Sequence, residues 1–243
     1  MHQFHSSQRL RRGFVLCVIA ITCHASAGDQ AAPVTGPAKI ELVESAPAVW
    51  RLRVDGADFP IRGAGGADAP GLLEQLKAAG GNCVRTWGLE TLEAKVSGGA
   101  RFIDRAHELG LMVMPGIWLE HERHGFDYGN ADQVNRQREA VLAGVRRYKD
   151  HPAVLIWGLG NEMEGPDSPT GSVPAFKEVG ELARIIKKED PRHPVMTVIA
   201  FNPAKVANVK LHCPDIDILG VNSYGGAAGA GEALKAAGWT KPF

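Results

Sequence analysis

The chain carries no net charge: 27 lysines and arginines meet 27 aspartates and glutamates. Without a surplus of either sign there is no electrostatic footprint for a nucleic-acid partner or an anionic membrane surface. Cysteine is scarce, four in 243 residues, and Cys17 and Cys23 fall in the leading segment. Cys83 and Cys213 alone, far apart in sequence, are not a disulfide framework. Cys83 sits inside an apolar strand pattern and reads as an inert buried thiol. Gly63-Ala64-Gly65-Gly66 lacks the third glycine of a dinucleotide-binding loop, and Asp68 comes too soon to be its acidic partner. His121 and His124 stand three apart rather than the four that would put both on one helix face toward a metal. These absences leave no implied cofactor and no metal site.

What is present begins with a leader. Arg9, Arg11 and Arg12 form a basic region, Gly13 to Thr22 an apolar one, and Ala25-Ser26-Ala27 a small-residue cleavage site. That is the layout of a secretory signal peptide over 1–27, and its apolar part is too short to anchor the chain in a bilayer. The expectation is a secreted or periplasmic protein with no stable membrane anchor. Cleavage removes three arginines and no acid, which leaves the remainder mildly acidic.

A small-residue linker and a β-hairpin follow over 28–54, with strands Lys39 to Val43 and Val49 to Val54 on either side of Ser45-Ala46-Pro47. From there to Phe243, strands and helices alternate. The expected strands are Pro60 to Gly63, Asn82 to Trp87, Leu111 toward Trp118, Ala153 to Trp157, Val195 to Ile199 and Ile216 to Val221, with another opening at Lys241. Between them, helical spacing appears in Leu72, Leu73, Leu76 and Ala79, in Phe102, Ile103, Ala106 and Leu109, and in Val134, Val141, Val145 and Tyr148. It recurs in Phe176, Val179, Leu182, Ala183 and Ile186, and again over Ala230 to Ala237. Such alternation implies βαβ units and a parallel sheet. Polar residues at nearly every strand end favour a (β/α)8 barrel over an open doubly wound sheet. The barrel is expected to be incomplete, with about six strands and the start of a seventh over 55–243.

The residues at those strand exits are Arg85, Trp87, His121, Glu122, Asn161, Glu162, Asn202, Asn222 and Tyr224. Single exit residues are commonly caps or solvated loop groups, but exits of successive strands converge on one cavity when the sheet closes. Glu162 stands out. The buried run Ala153 to Trp157 is cut by glycines and delivers Asn161-Glu162 at the carboxyl edge. Partial desolvation there, with Trp157 nearby, would keep a carboxyl protonated and able to donate to a leaving oxygen. From spacing alone, Glu162 reads equally as a cap of the next helix or a partner of Arg85. His121-Glu122-Arg123-His124, in a loop after a strand, reads as a ligand-contacting loop. Trp87 and Trp118 offer apolar faces, whereas Trp157 within the strand run reads as core. Glu164 belongs to the following loop or helix.

His151-Pro152-Ala-Val-Leu-Ile-Trp157-Gly-Leu-Gly-Asn161-Glu162 resembles the fourth-strand signature of the clan A retaining glycoside hydrolases, most of all the TIM-barrel domain of glycoside hydrolase family 2. Asn82 to Thr86 resembles that family's second strand, Asp217 to Tyr224 its sixth, and Lys241 to Phe243 the start of its seventh. The resemblance spans roughly Val54 to Phe243. It implies hydrolysis of O-glycosidic bonds by retaining double displacement, on an oligo- or polysaccharide, without a cofactor. By the same resemblance Glu162 is the general acid/base, Asn161 binds the sugar 2-hydroxyl, Arg85 stabilises the nucleophile as an anion and Tyr224 hydrogen-bonds it. Trp87, His121, Glu122 and Asn222, from their places after barrel strands, are expected to line the substrate site.

A retaining glycosidase needs two carboxylates about 5 Å apart. The family's nucleophile is a glutamate at the end of the seventh strand, and no residue of this chain takes that role. Glu120, Glu122 and Glu164 each follow the wrong strand. The expectation is therefore a piece of a longer glycosidase, inactive and poorly soluble alone. A glucan-remodelling transglycosylase and a non-catalytic carbohydrate-binding barrel are the alternatives.

Overall fold

The computed structural model describes residues 36–66, 69–163 and 170–243. The expected signal peptide, the linker up to residue 35, Asp68 and Glu164 lie outside the described residues. The chain enters through a three-stranded antiparallel sheet: β1 (Ile40–Ala46), β2 (Val49–Val54) and β3 (Ala57–Asp58). The hairpin is the expected one, but β1 runs on to Ala46. The turn is the two residues Pro47-Ala48, with Ala48 at φ 56, so ladder pairing continues through a bulge to Ala46↔Val49.

The strand–helix alternation then follows. β4 (Gly63–Gly65) leads to α1 (Leu72–Ala78), β5 (Cys83–Arg85) to α2 (Phe102–Glu108), and β6 (Met112–Met114) with β7 (Gly116–Ile117) to α3 (Ala131–Tyr148). β8 (Trp157–Leu159) leads to α4 (Val173–Glu189), β9 (Val195–Ala200) to α5 (Val206–His212), and β10 (Ile218–Asn222) to α6 (Ala230–Ala236). The strands are parallel and adjacent in chain order, β4-β5-β6 and β7-β8-β9-β10. Pro115, which has no N–H, splits the third barrel strand into β6 and β7. A parallel bridge, Val113↔Val154, joins the two runs. The result is six successive strands of a TIM barrel.

Several strand boundaries differ from expectation, three of them with a visible cause. Pro60 to Arg62 does not pair, because the Asn82 side chain takes its backbone groups. Arg62 N donates to Asn82 Oδ1 at 2.7 Å, and Asn82 Nδ2 donates to Pro60 O at 2.9 Å. The regular part of the fourth barrel strand begins at Trp157 rather than Ala153. Pro194, on the neighbouring β9 side, has no N–H to donate, so the ladder there starts with Trp157 N to Pro194 O at 2.9 Å. Ala153 to Ile156 is held instead to Val113 from the other side. Lys241–Phe243 forms no strand. Leu219 N donates to Pro242 O at 3.0 Å, but the proline cannot return the bond.

The helices arise locally. Asn130 caps α3 through the N–H groups of Asp132 and Gln133, and Ser172 caps α4 through Ala175 N ahead of Pro174. Their apolar stripes (Val141 and Val145; Phe176, Val179, Leu182 and Ile186) pack on the outward residues of the sheet, among them Val113, Trp157, Val195 and Leu219. A Cβ on Gly180 would meet His212 O at 1.9 Å, so α4 and α5 approach closely only at a glycine. Ile40, Leu52 and Phe59 of the leading segment pack instead on Cys83, Met112, Ile156, Met196 and Ile218. These belong to the starts of the barrel strands, so the hairpin sheet closes the amino end and leaves the carboxyl end for chemistry.

Candidate active site

Ala153 to Gly160 is buried without interruption, and its exit is abrupt. Gly160 turns at φ 69 and Glu162 itself stands at φ 52. A left-handed backbone costs a non-glycine residue about 1–2 kcal/mol. It is held by Glu162 N donating to Val198 O at 2.8 Å on β9. The strand thus ends in a strained corner that lifts its carboxylate out of the sheet.

The side chains beside it come from three strand exits. Asn222 Nδ2, at the end of β10, donates to Glu162 Oε1 at 2.7 Å and reaches Asn161 Oδ1 at 3.2 Å. Tyr224 OH donates to the same Glu162 oxygen at 2.9 Å. Arg85 Nη2, at the end of β5, donates to Asn161 Oδ1 at 3.0 Å. With two donors on Oε1, a proton carried by this carboxyl belongs on Oε2. With Oδ1 occupied twice, Asn161 presents its NH2 as the group left to bind a ligand. Glu162 neither caps a helix nor forms a direct bond with Arg85 among the described contacts. Arg85 feels it through charge: burial lowers the guanidinium pKa, and the Glu162 carboxylate opposes that shift. Arg85 Nε is buried with no hydrogen-bond partner among the described residues.

His121 closes the group from the third barrel strand. It is 2% exposed, and neither ring nitrogen has a hydrogen-bond partner among the described residues. Burial pulls its pKa down to about 4, helped by repulsion from Arg123 and His124 and opposed by Glu162. It is therefore a neutral imidazole at pH 7 whose donor and acceptor are both unspent. Its ring lies 5.2 Å from that of Trp118 and 5.6 Å from that of His124.

Several expectations need correction. Trp157 is core, as its place in the run indicated, but it does not desolvate Glu162. Its Nε1 donates to Asp190 Oδ2 at 2.9 Å, near the amino end of the strand. Glu122 lies exposed on a short 3-10 turn, outside the hydrogen-bonded cluster around Glu162. Asn202 caps the turn after β9 through Ala204 N. Trp87 is 41% exposed, with the Arg85 guanidinium 5.4 Å from its ring centre. A Cβ on Gly65 would stand 2.6 Å from that ring, so the glycine-rich strand serves close packing rather than phosphate binding. Sequence reasoning missed the Asp190 network and Val198 O as the group that holds the corner. Both depend on residues distant in sequence, and no local pattern signals them. Among the described residues no cluster of three ligating side chains could hold a metal ion.

The model of the glycosyl hydrolases family 2 TIM-barrel domain matches residues 102–235. The chain is 27% identical over 146 residues to a β-mannosidase from Bos taurus, covering 55% of this chain and 16% of that protein. It is 29% identical over 174 residues to a β-glucuronidase from Felis catus, covering 69% of this chain and 23% of the relative. It thus spans under a quarter of the length of either. A family 2 β-galacturonidase from Eisenbergiella tayi, solved with galacturonate, superposes with a TM-score of 0.59 at 16% identity, over 85% of this chain and 37% of the other. A Parabacteroides merdae β-glucuronidase gives 0.57 at 19% identity, over 85% and 26%.

Proposed function

The chain belongs to glycosyl hydrolase family 2, and on that premise we propose that it serves the hydrolysis of O-glycosidic bonds in an oligo- or polysaccharide. The observation that carries this reading is the convergence of Asn222 and Tyr224 on one oxygen of Glu162, beside Asn161 and Arg85. In this reading Glu162 protonates the glycosidic oxygen from Oε2, and Asn161 NH2 holds the sugar 2-hydroxyl. The charge of Arg85 and the neutral imidazole of His121 act on the Glu162 carboxylate from either side. A retaining course has a second carboxylate attack the anomeric carbon. Glu162 then takes a proton from a water whose oxygen attacks the anomeric carbon, breaking the bond to the nucleophile and freeing the sugar. We assign that nucleophile to none of the described residues. Glu120, for one, lines a flank cavity beside α3. The leader pattern over 1–27 supports export to the periplasm or medium.

The test is turnover of aryl β-mannoside, β-glucuronide and β-galactoside, with the product anomer read by NMR. In a protein that also supplies the second carboxylate, turnover with retained configuration, lowered about 10²–10⁴-fold in Glu162→Gln, is expected. An inverted product sinks the retaining course. Products lengthened rather than hydrolysed would mark a transglycosylase on the same scaffold. Saturable sugar binding without turnover favours the non-catalytic carbohydrate-binding barrel. That reading draws on the same cluster, in which Glu162 is the carboxylate that Asn222 and Tyr224 hold.

A further inference from the structure

A cavity of about 590 Å³ opens on the flank of the same face, between the loops that follow β5 and β7 and the first half of α3. Trp118 and Phe126 give it aromatic walls, and Glu90, Gln133, Arg136 and Gln137 give it polar ones. The two glutamines have their amide oxygens engaged. Gln133 Oε1 accepts from Asp127 N at 3.0 Å, and Gln137 Oε1 accepts from Glu120 N at 2.8 Å. Gln133 has an NH2 donor left to offer a ligand, whereas the NH2 of Gln137 is buried beside Tyr128. Glu90 adds an acceptor and Arg136 a planar set of donors.

Aromatic rings beside planar amide, carboxylate and guanidinium groups match a pyranose, which has an apolar C–H face and a rim of hydroxyls that donate and accept. The walls carry a net negative charge, Glu90 and Glu120 against Arg136, so a neutral sugar is favoured over an acidic one. The cavity is also joined to the Glu162 cluster. Trp118, 41% exposed, lines it. The Trp118 ring lies 5.2 Å from that of His121, whose protonation responds to Glu162.

We infer that this cavity is a subsite for a neutral pyranose unit of an oligosaccharide, adjoining the unit bound at Glu162; the inference rests on the glycosidase reading. Preference for oligosaccharides over single sugars is then built into the loops after the second and third barrel strands.

Calorimetric titration of the full chain with mannose, mannotetraose, glucose and cellotetraose tests it. One of the tetrasaccharides is expected to bind about tenfold tighter than its monosaccharide, the gain of one good stacking contact. Arg136→Ala and Trp118→Ala are expected to abolish that gain. So is Ala140→Trp, which fills the cavity from the exposed side of α3. Sugar binding that needs Asn222 but shows no gain with chain length overturns the subsite and leaves the glycosidase reading standing. A gain that survives all three substitutions also overturns it. Absence of binding by all four sugars overturns the subsite, while the glycosidase reading stands or falls on the turnover test.

Discussion

The two ends of the fourth barrel strand solve opposite problems with the same kinds of side chain. At the entering end, Asp190 is fully buried and saturated with donors. Trp157 Nε1 lies at 2.9 Å from Oδ2, and His193 Nδ1 at 2.7 Å from the same oxygen. Arg192 N reaches Oδ1 at 3.2 Å. At the leaving end, Glu162 sits half-buried in a left-handed corner, and among the described residues Arg85 Nε is buried without a hydrogen-bond partner and both nitrogens of His121 are unspent. One carboxylate locks the strand to the turn after α4, while the other is held ready at a cost in backbone strain. A barrel can divide stability and chemistry this way because its two ends share strands but not loops.

The largest test of this contrast is Asp190→Ala. It leaves Trp157 Nε1 and the His193 ring unpartnered in the core, and a loss of about 3 kcal/mol or more is expected in denaturant unfolding. A loss below about 1 kcal/mol would mean that the entering end is no lock. Next comes pH. The folded pKa of His121 lies near 4, below its ordinary 6.5, so between those values the unfolded chain binds the proton first. The stability owed to neutral His121 is complete above about pH 6.5 and is lost as pH falls toward 4, with a slope of at most ~1.4 kcal/mol per pH unit. Unfolding curves across that window should show the slope, and His121→Gln should flatten it. A smaller effect has the opposite sign. Glu162→Gly relieves the left-handed corner and should raise stability by about 1 kcal/mol while removing function. Smallest of all, Tyr224→Phe removes the hydrogen bond from an exposed ring to Glu162 and should change stability by less than about 1 kcal/mol. A larger loss would show that the leaving end also bears structural weight.

The parts of this structure legible in the sequence are those with local causes. α3 and α4 follow from apolar spacing and from caps at Asn130 and Ser172. The hairpin follows from its paired strands, and the order of strands and helices from their alternation. Glu162 is legible because a buried run cut by glycines delivers it. The beginning of β8 is not, because it depends on a proline in the next strand, and the beginning of β4 depends on a side chain at Asn82. His121 was expected at the ligand but not as a buried, neutral ring, since burial of a loop residue is set by tertiary packing. Trp157 as core was legible, but its bond to Asp190 was not.

The amino-acid sequence by itself determined the repeating strand–helix pattern, the absence of charge and disulfide devices, and the Asn161-Glu162 pair at a strand exit. These rest on periodicity and on residue chemistry within a few positions. Only the tertiary structure decided that Asn222 and Tyr224 meet on a single oxygen of Glu162, that Arg85 reaches Asn161, and that a second cavity opens behind Trp118. Each of these joins strand exits or loops that parallel pairing brings side by side, across separations that no local pattern encodes.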